Sequence, residues 1–183
     1  WYYLLNVGGG HDFVDFLSPP VISGVNGIVN GFKASQGRFR QITENSMQDV
    51  TLNFRDYTVP SASKVPLLVN GVVGRIIRSY GRDPLESAIY AHLALSLVQP
   101  FMEGNKRTAR LIQDRLLFDA GIPPAMIPAG EGKFYHDLLG RVAPSFGRGD
   151  EEGQEVFYNY ISSNVNNALD LVLYDLLVYE LPK

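Results

Sequence analysis

A short turn between two predicted helices carries the residue types best suited to chemistry. It reads Gln99-Pro100-Phe101-Met102-Glu103-Gly104-Asn105-Lys106-Arg107-Thr108-Ala109-Arg110. Pro100 ends the preceding helix, because the residue before a proline is pushed out of helical geometry. The next helix begins near Asn105, so its first two turns carry the cations Lys106, Arg107 and Arg110.

These cations oppose the dipole of their own helix, whose positive end favours acidic residues. A phosphate at the turn would resolve the conflict, because the backbone N–H groups of Gly104 and Asn105 and the cations would converge on it. Glu103 beside a polyphosphate suits Mg²⁺, which takes only one or two carboxylates. The alternative is that Lys106 and Arg107 form a solvated face and that Glu103 pairs with Arg107.

Composition narrows the remaining functions. The chain has 183 residues, 45% hydrophobic and 19% charged, which is typical of one globular domain. A net charge of -3 gives no basic face for nucleic acid, and the absence of cysteine excludes disulfides and thiolate chemistry. No apolar run approaches the ~20 residues of a membrane span, and no secretory signal is visible. We expect a cytoplasmic protein, in preference to one delivered into a host cell, and a fragment, since it starts at Trp1.

Helical periodicity dominates from residue 64 onward. One apolar stripe has i, i+3, i+4 spacing and comprises Val65, Leu68, Val69, Val72, Val73, Ile76 and Ile77. A second helix starts with Asp83 as N-cap and Pro84 at its first position, and ends before Pro100. A third covers about Asn105 to Ala120 and a fourth roughly 131–142, while 151–180 forms one long helix or two.

Strand periodicity is confined to one region. Val50, Leu52 and Phe54 alternate with Thr51 and Asn53, which predicts a β-hairpin over about 38–58. The fold class is therefore mainly α with a single hairpin. Residues 1–37 are hard to assign, because a helix over 21–32 would lose ~1 kcal/mol at each of its glycines relative to alanine.

The turn resembles the signature of the Fic (Fic/Doc) family. That pattern is His-Pro-Phe, any residue, Asp or Glu, Gly-Asn, Gly or Lys, Arg, two residues and Arg. Every fixed position matches except the first, where this chain has Gln99. The resemblance covers about residues 38–142 and implies one Fic-like domain over 1–183, a helical bundle with a hairpin flap. The flanks 1–37 and 150–183 are expected to be helical but are not placed.

The resemblance implies transfer of AMP from ATP to a protein hydroxyl. Phe101 would anchor the loop in the core, and Glu103 would hold Mg²⁺. The phosphates would be bound by the remaining motif residues, which are Gly104, Asn105, Lys106, Arg107 and Arg110.

The predicted partner is a target protein. The flap residues 50–54 would pair with it by strand addition, and neither nucleic acid nor membrane is expected. Lys106 resembles the death-on-curing branch of the family, which has lysine at this position. That branch resembles a kinase that transfers the γ-phosphate of ATP. It usually has alanine, however, where this chain has Gly104.

Gln99 stands where the family histidine accepts the proton of the attacking hydroxyl. A neutral amide has no such equilibrium, and losing a general base typically costs 10²–10⁴-fold in rate. We therefore expect an impaired or silent catalyst with an intact nucleotide site. Gln99 is either the natural residue or an engineered substitution. The alternatives are a pseudoenzyme that binds nucleotide and docks a partner, and a regulatory domain that binds no nucleotide.

The other histidines do not replace the missing base. His92 lies two turns before Gln99 on an apolar face and is expected to be a packed core residue, while His11 and His136 have no motif around them. The family's inhibitory helix carries Ser or Thr and, four residues later, Glu. Neither Ser23 nor Ser163 is followed by that glutamate, so inhibition would need a partner protein or a missing flank.

Overall fold

The computed structural model describes residues 12–31, 37–41 and 57–180, and most of these residues are helical. The helices are α1 Phe13–Phe16, α2 Pro19–Val29, α3 Val65–Ser79, α4 Pro84–Val98, α5 Asn105–Asp119, α6 Gly132–Arg148 and α7 Glu155–Glu180. Single 3₁₀ turns are found at Ala62–Lys64, Ala129–Glu131 and Glu152–Gln154. The mainly helical prediction is confirmed.

No β-strand occurs within the described residues. The predicted hairpin over 38–58 lies mostly outside them, and so do its target-docking residues, which are Val50, Thr51, Leu52, Asn53 and Phe54. The flap therefore stays a prediction.

Helix α4 is the centre of the domain. Its residues from Ser87 to Val98 are buried almost without exception, as expected of a helix that is apolar on all sides. One side packs with α2, α3 and α5 around Leu95, and the other packs with α6 and α7 around Leu93. The N-cap prediction is confirmed, because the carboxylate of Asp83 accepts the N–H of Glu86 at 2.8 Å.

The predicted bounds of α3, α4 and α5 agree with the structure to within two residues. The fourth helix was predicted too short, since α6 continues through Pro144 to Arg148. A proline there removes one backbone hydrogen bond, but Val142 and Ala143 are fully buried and their packing keeps the helix intact. The open choice for 151–180 is resolved in favour of one helix from Glu155 onward.

Residues 12–31 form part of the core. Helix α2 exists despite its glycines because Ile22 and Val25 are buried, and such packing outweighs weak helix propensity. At the start of α1, the N–H of Phe13 donates to the carboxylate of Asp119, which also pairs with Arg115 at 2.9 Å. Across 12–31, 37–41 and 57–180, no helix combines the length and the apolar character needed to cross a membrane.

Candidate functional site

Helix α4 ends at Gln99, which adopts the left-handed conformation with φ 51° and ψ 60°. Among the described residues, it is the only one other than glycine with a positive φ. Such a conformation costs an ordinary side chain roughly 1–2 kcal/mol and persists only where the surroundings determine it. The backbone is therefore under constraint at the position that the sequence singles out.

The side chain of Gln99 is buried and both ends of its amide are bonded. Its oxygen accepts from the side-chain amide of Asn105 at 2.9 Å, and its nitrogen donates to the carbonyl of Ser96. Asn105 also accepts the N–H of Phe101 and donates to the carbonyl of Phe101, both at 2.8 Å. The amide of Asn105 thus braces the loop, so only its backbone N–H is placed to reach a ligand.

Phe101 anchors the loop in the core, as the resemblance implies. Its side chain is 1% exposed, and its ring lies 5.5 Å from that of Phe39, centroid to centroid. With Phe101 buried, the residues that follow it turn outward, and Met102 and Glu103 are exposed.

Gly104 is favoured by its conformation, since it has φ 76°. A Cβ at this position would lie 2.5 Å from the side-chain nitrogen of Asn30, the residue that follows α2, so that side chain would have to move. That nitrogen also donates to the carbonyl of Glu103 at 3.4 Å. Helix α2 therefore contacts the turn directly, and the backbone at Gly104 can approach other groups closely.

The contacts from α2 were not predicted from the sequence. Asn26 is 1% exposed and its amide donates to the carbonyl of Glu103 at 2.9 Å and to the hydroxyl of Thr108 at 3.0 Å. Its oxygen accepts the N–H of Gly37 at 3.0 Å. The available signal was a pair of asparagines, Asn26 and Asn30, four residues apart in an apolar stretch.

The start of α5 concentrates positive charge. No acidic residue lies in its first turn, and no described carboxylate is within ion-pair distance of Lys106, Arg107 or Arg110. Burial, reinforced by the charge of Arg110, lowers the pKa of the Lys106 ammonium. The expected alternative pairing of Glu103 with Arg107 is absent from these described ion pairs, and Arg107 donates to the side-chain oxygen of Asn30 at 2.8 Å instead.

A cavity of about 640 Å³ opens beside these cations. Arg107 and Arg110 line it together with Asp114 and with apolar residues, which are Val29, Leu111, Ala125, Met126 and Ile127. Burial raises the pKa of the Asp114 carboxyl to about 6, although the hydrogen bond from Gln113 and the charge of Arg110 act in the opposite direction. The cavity therefore offers two guanidinium groups and apolar walls to a ligand.

The described residues contain no cluster of three or more His, Cys, Asp or Glu side chains that could hold a metal on its own. Glu103 supplies a single exposed carboxylate at the turn. Such a site could hold Mg²⁺ only together with the oxygens of a bound ligand and water, which is the mode of binding that this ion favours.

His92 is a core residue, as predicted. One ring nitrogen bonds to the side-chain oxygen of Gln113 at 2.7 Å and the other to the hydroxyl of Tyr135 at 2.8 Å. Burial lowers the pKa of the imidazole to about 4. His92 is thus neutral and fully bonded, so it cannot serve as the base at position 99. His136 lies half-buried on α6, and His11 falls outside the described residues.

The family model described as Fic/DOC family matches residues 22–117, just over half of the chain. This chain belongs to the Fic/DOC family. The matched range begins in α2, earlier than the resemblance suggested, and it includes the loop and nearly all of α5. The contacts of Asn26 and Asn30 with the loop are therefore contacts within the Fic domain.

Curated relatives include proteins named protein adenylyltransferase Fic. Over 92 residues, the protein of Drosophila persimilis is 37% identical to this chain and that of Drosophila melanogaster is 36% identical. These matches cover 50% of this chain and only 16% and 17% of the relatives. The chain thus corresponds to a small part of their length.

Solved structures with the Fic fold superpose on most of the chain. A Fic domain containing signaling protein from Bacteroides thetaiotaomicron gives a TM-score of 0.74 at 21% identity, covering 91% of this chain and 66% of that one. Fic-1 from C. elegans gives 0.68 at 20% identity, covering 91% and 47%. These likenesses show the fold, including the helices outside residues 22–117.

The buried imidazole predicts a pH dependence of stability. Above pH 6.5, His92 is neutral in both the folded and the unfolded chain and contributes nothing. Below pH 6.5, the imidazole of His92 is protonated in the unfolded chain, but in the folded chain it stays neutral down to about pH 4. The free energy of unfolding should therefore lose up to about 3 kcal/mol between those values.

Urea unfolding between pH 7.5 and 5 measures this slope. Asp114 titrates in the same range with the opposite sign, so variants must be compared rather than a single curve. We expect His92→Gln to be less stable at pH 7.5 but to lose much of the fall toward pH 5, while His136→Gln keeps it. An unchanged slope in His92→Gln would contradict the assignment.

Proposed function

We propose that the chain is built to transfer AMP from ATP to a hydroxyl group of a protein, and that the form with Gln99 does so slowly or not at all. The observation that carries this proposal is the start of α5. Three cations without ion-pair partners among the described residues surround a turn whose loop is fully braced. Membership of the family and relatives named protein adenylyltransferase support the same reaction.

The phosphates of ATP would bind at this helix start. The N–H groups of the first turn of α5 have no acceptor within the helix, and the helix dipole favours an anion there. Arg107 and Arg110 would add charge-assisted hydrogen bonds, with Lys106 close by. Arg107 is exposed, so it could exchange Asn30 for a phosphate oxygen at little cost.

We propose that Mg²⁺ would bind at the same place. The exposed carboxylate of Glu103 follows the buried Phe101 and precedes the anion-binding turn, so it would reach an ion shared with the phosphates. A bound Mg²⁺ would neutralise negative charge on the phosphates. The chain's own contribution is to hold Glu103 in place through the bonds from Asn26 and Asn30 to its carbonyl.

The acceptor would be a target protein docked on the flap. We propose strand addition to residues 50–54, which lie outside the described residues. Transfer needs the target hydroxyl to attack the α-phosphorus as the bond to the β-phosphate oxygen breaks and pyrophosphate leaves. The hydroxyl proton must go to a base, and the amide of Gln99 cannot take it. We also propose that a partner protein could inhibit the site, and such inhibition would be measurable in an active variant that has histidine at position 99.

Two other functions remain to be separated by experiment. A pseudoenzyme would bind ATP and a partner without transfer in any form. A kinase related to the death-on-curing branch would transfer the γ-phosphate, and Lys106 is the residue that suggests it. Gly104 argues against that branch, which usually has alanine at this position, because the φ of 76° favours glycine.

Restoring the base should switch on transfer. We expect Gln99→His to raise the incorporation of label from α-labelled ATP into itself or a lysate protein by at least ~100-fold over the Gln form. The rate should rise with pH around the ordinary histidine pKa of ~6.5, shifted by the surroundings. Gln99→Asn serves as a control that alters the side chain without adding a base.

Label arising only from γ-labelled ATP would replace the proposal with kinase chemistry. No label from either position in the His form, with ATP still bound, would make the domain a nucleotide sensor.

Binding should depend separately on the cations and on the carboxylate. We expect ATP to bind with micromolar to millimolar affinity, and Arg110→Ala to weaken binding at least ~10-fold with or without Mg²⁺. Glu103→Gln should remove the Mg²⁺ dependence of ATP binding. The control Arg82→Ala should leave binding unchanged, because Arg82 is exposed and lies before the start of α4, at the end opposite to the loop. Calorimetry measures all three. If Mg²⁺ dependence survives in Glu103→Gln, the carboxylate is not the metal ligand.

A further inference from the structure

Within 12–31, 37–41 and 57–180, the successive carbonyls of residues 97–100, at the end of α4 and just after it, accept hydrogen bonds from the side chain of Tyr57 and from Arg40. A helix leaves its last carbonyls without partners inside the helix. Here the hydroxyl of Tyr57 donates to the carbonyl of Leu97 at 3.0 Å. The other three, at 98, 99 and 100, all accept from Arg40.

Arg40 makes the bonds nearest to Gln99. Its Nε donates to the carbonyl of Gln99 at 2.6 Å, an Nη donates to that of Val98 at 3.4 Å, and its backbone N–H donates to that of Pro100 at 2.9 Å. The same Nη also donates to the carbonyl of Pro60. Arg40, which is only 4% exposed, therefore links Pro60 to the loop that follows α4.

Tyr57 is fixed from the other side. Its ring lies against Gly147 of α6, where an added Cβ would be 3.4 Å from the ring carbons. Burial raises the pKa of its hydroxyl to about 12, so the group stays a hydrogen-bond donor at every working pH. The end of α4 is thereby tied to α6 as well as to residue 40.

Two contacts at Gln99, one from Arg40 and one from Asn105, explain its strained backbone. The guanidinium holds the carbonyl of Gln99 and the amide of Asn105 holds its side chain. A left-handed residue persists where its surroundings determine it, and a planar, always charged fork is suited to several carbonyls at the negative end of a helix. Arg40 thus sets where residue 99 points.

We propose that Arg40 is a positioning residue for the transfer reaction, which fixes the backbone of residue 99 at the end of α4. This inference rests on the proposed AMP transfer. The described bonds of Arg40 go to residues 98–100 and to Pro60 rather than to the cations of α5, so its loss should leave ATP binding intact. A displacement of about 1 Å at a reacting group can cost ~100-fold in rate, so the turnover should fall.

The first experiment compares arginine variants in the Gln99→His protein. We expect Arg40→Met to lower kcat at least ~10-fold, with the Kd for MgATP unchanged within about twofold. Arg38→Met, which removes an exposed arginine two residues away, should leave both unchanged. Arg40→Lys keeps the charge but not the fork and should lie between them. If Arg40→Met does not fold, the kcat and the Kd for MgATP of Arg40→Lys are compared with those of Arg38→Met, and a lower kcat at an equal Kd supports the proposal.

The second experiment needs no activity and uses the chain with Gln99. Hydrogen exchange in the peptide covering 98–104 should accelerate at least ~10-fold in Arg40→Met, while α7 and the Arg38→Met control stay unchanged. If Gln99→His is inactive, the proposed function fails, and this arm still tests the positioning. Unchanged exchange at 98–104 would overturn it. So would a kcat that falls only in step with the folded fraction.

Discussion

One hydrogen bond between two side-chain amides, from Asn105 to Gln99, links the end of α4 to the start of α5 at 2.9 Å. The same asparagine holds the backbone of Phe101 through two further bonds, so the loop between the helices is closed on itself. With the loop closed, Phe101 enters the core and the following residues turn outward. The placement of Glu103, Gly104 and the cations of α5 depends on this brace.

The surroundings convert that brace into a site. Asn26 of α2 and Asn30 just after it support the outer side of the turn, and the positive φ of Gly104 favours glycine there. The cations of α5 are then held together without ion-pair partners among the described carboxylates, which is unfavourable until an anion binds. At Gln99 the constraint has the opposite effect, because the amide is locked between two partners and offers no proton acceptor. Under the proposed function, the same loop would favour nucleotide binding and would slow the transfer step.

The sequence predicts the parts of this arrangement that are local. The three helices around the loop follow from apolar periodicity, and Asp83, Pro100 and Gly121 mark their ends. The candidate site follows from charges that are unusual for a helix start. Helix α2 could not be predicted with the same force, because its glycines lower its propensity and the burial of Ile22 and Val25 is a tertiary effect. The extension of α6 through Pro144 to Arg148 likewise depends on tertiary packing.

The roles of Asn26, Asn30 and Arg40 could be identified only from the three-dimensional structure. Each is a polar residue whose partners are far away in the sequence, and no local spacing indicates them. The left-handed turn at Gln99 also results from such long-range contacts, since the residue type alone does not favour it. What glutamine changes chemically could be deduced from the sequence, but how firmly it is held could not.

The central claim is that Gln99 removes the proton acceptor and leaves the nucleotide site intact. Calorimetric titration of MgATP into the unaltered chain and into Gln99→His tests this most directly, because neither measurement depends on a target protein. The account predicts dissociation constants that agree within about threefold, because an imidazole nitrogen in Gln99→His can accept the same bond from Asn105 and the phosphate-binding groups proposed here lie on α5. Binding by the His form alone, or by neither folded form, would contradict it.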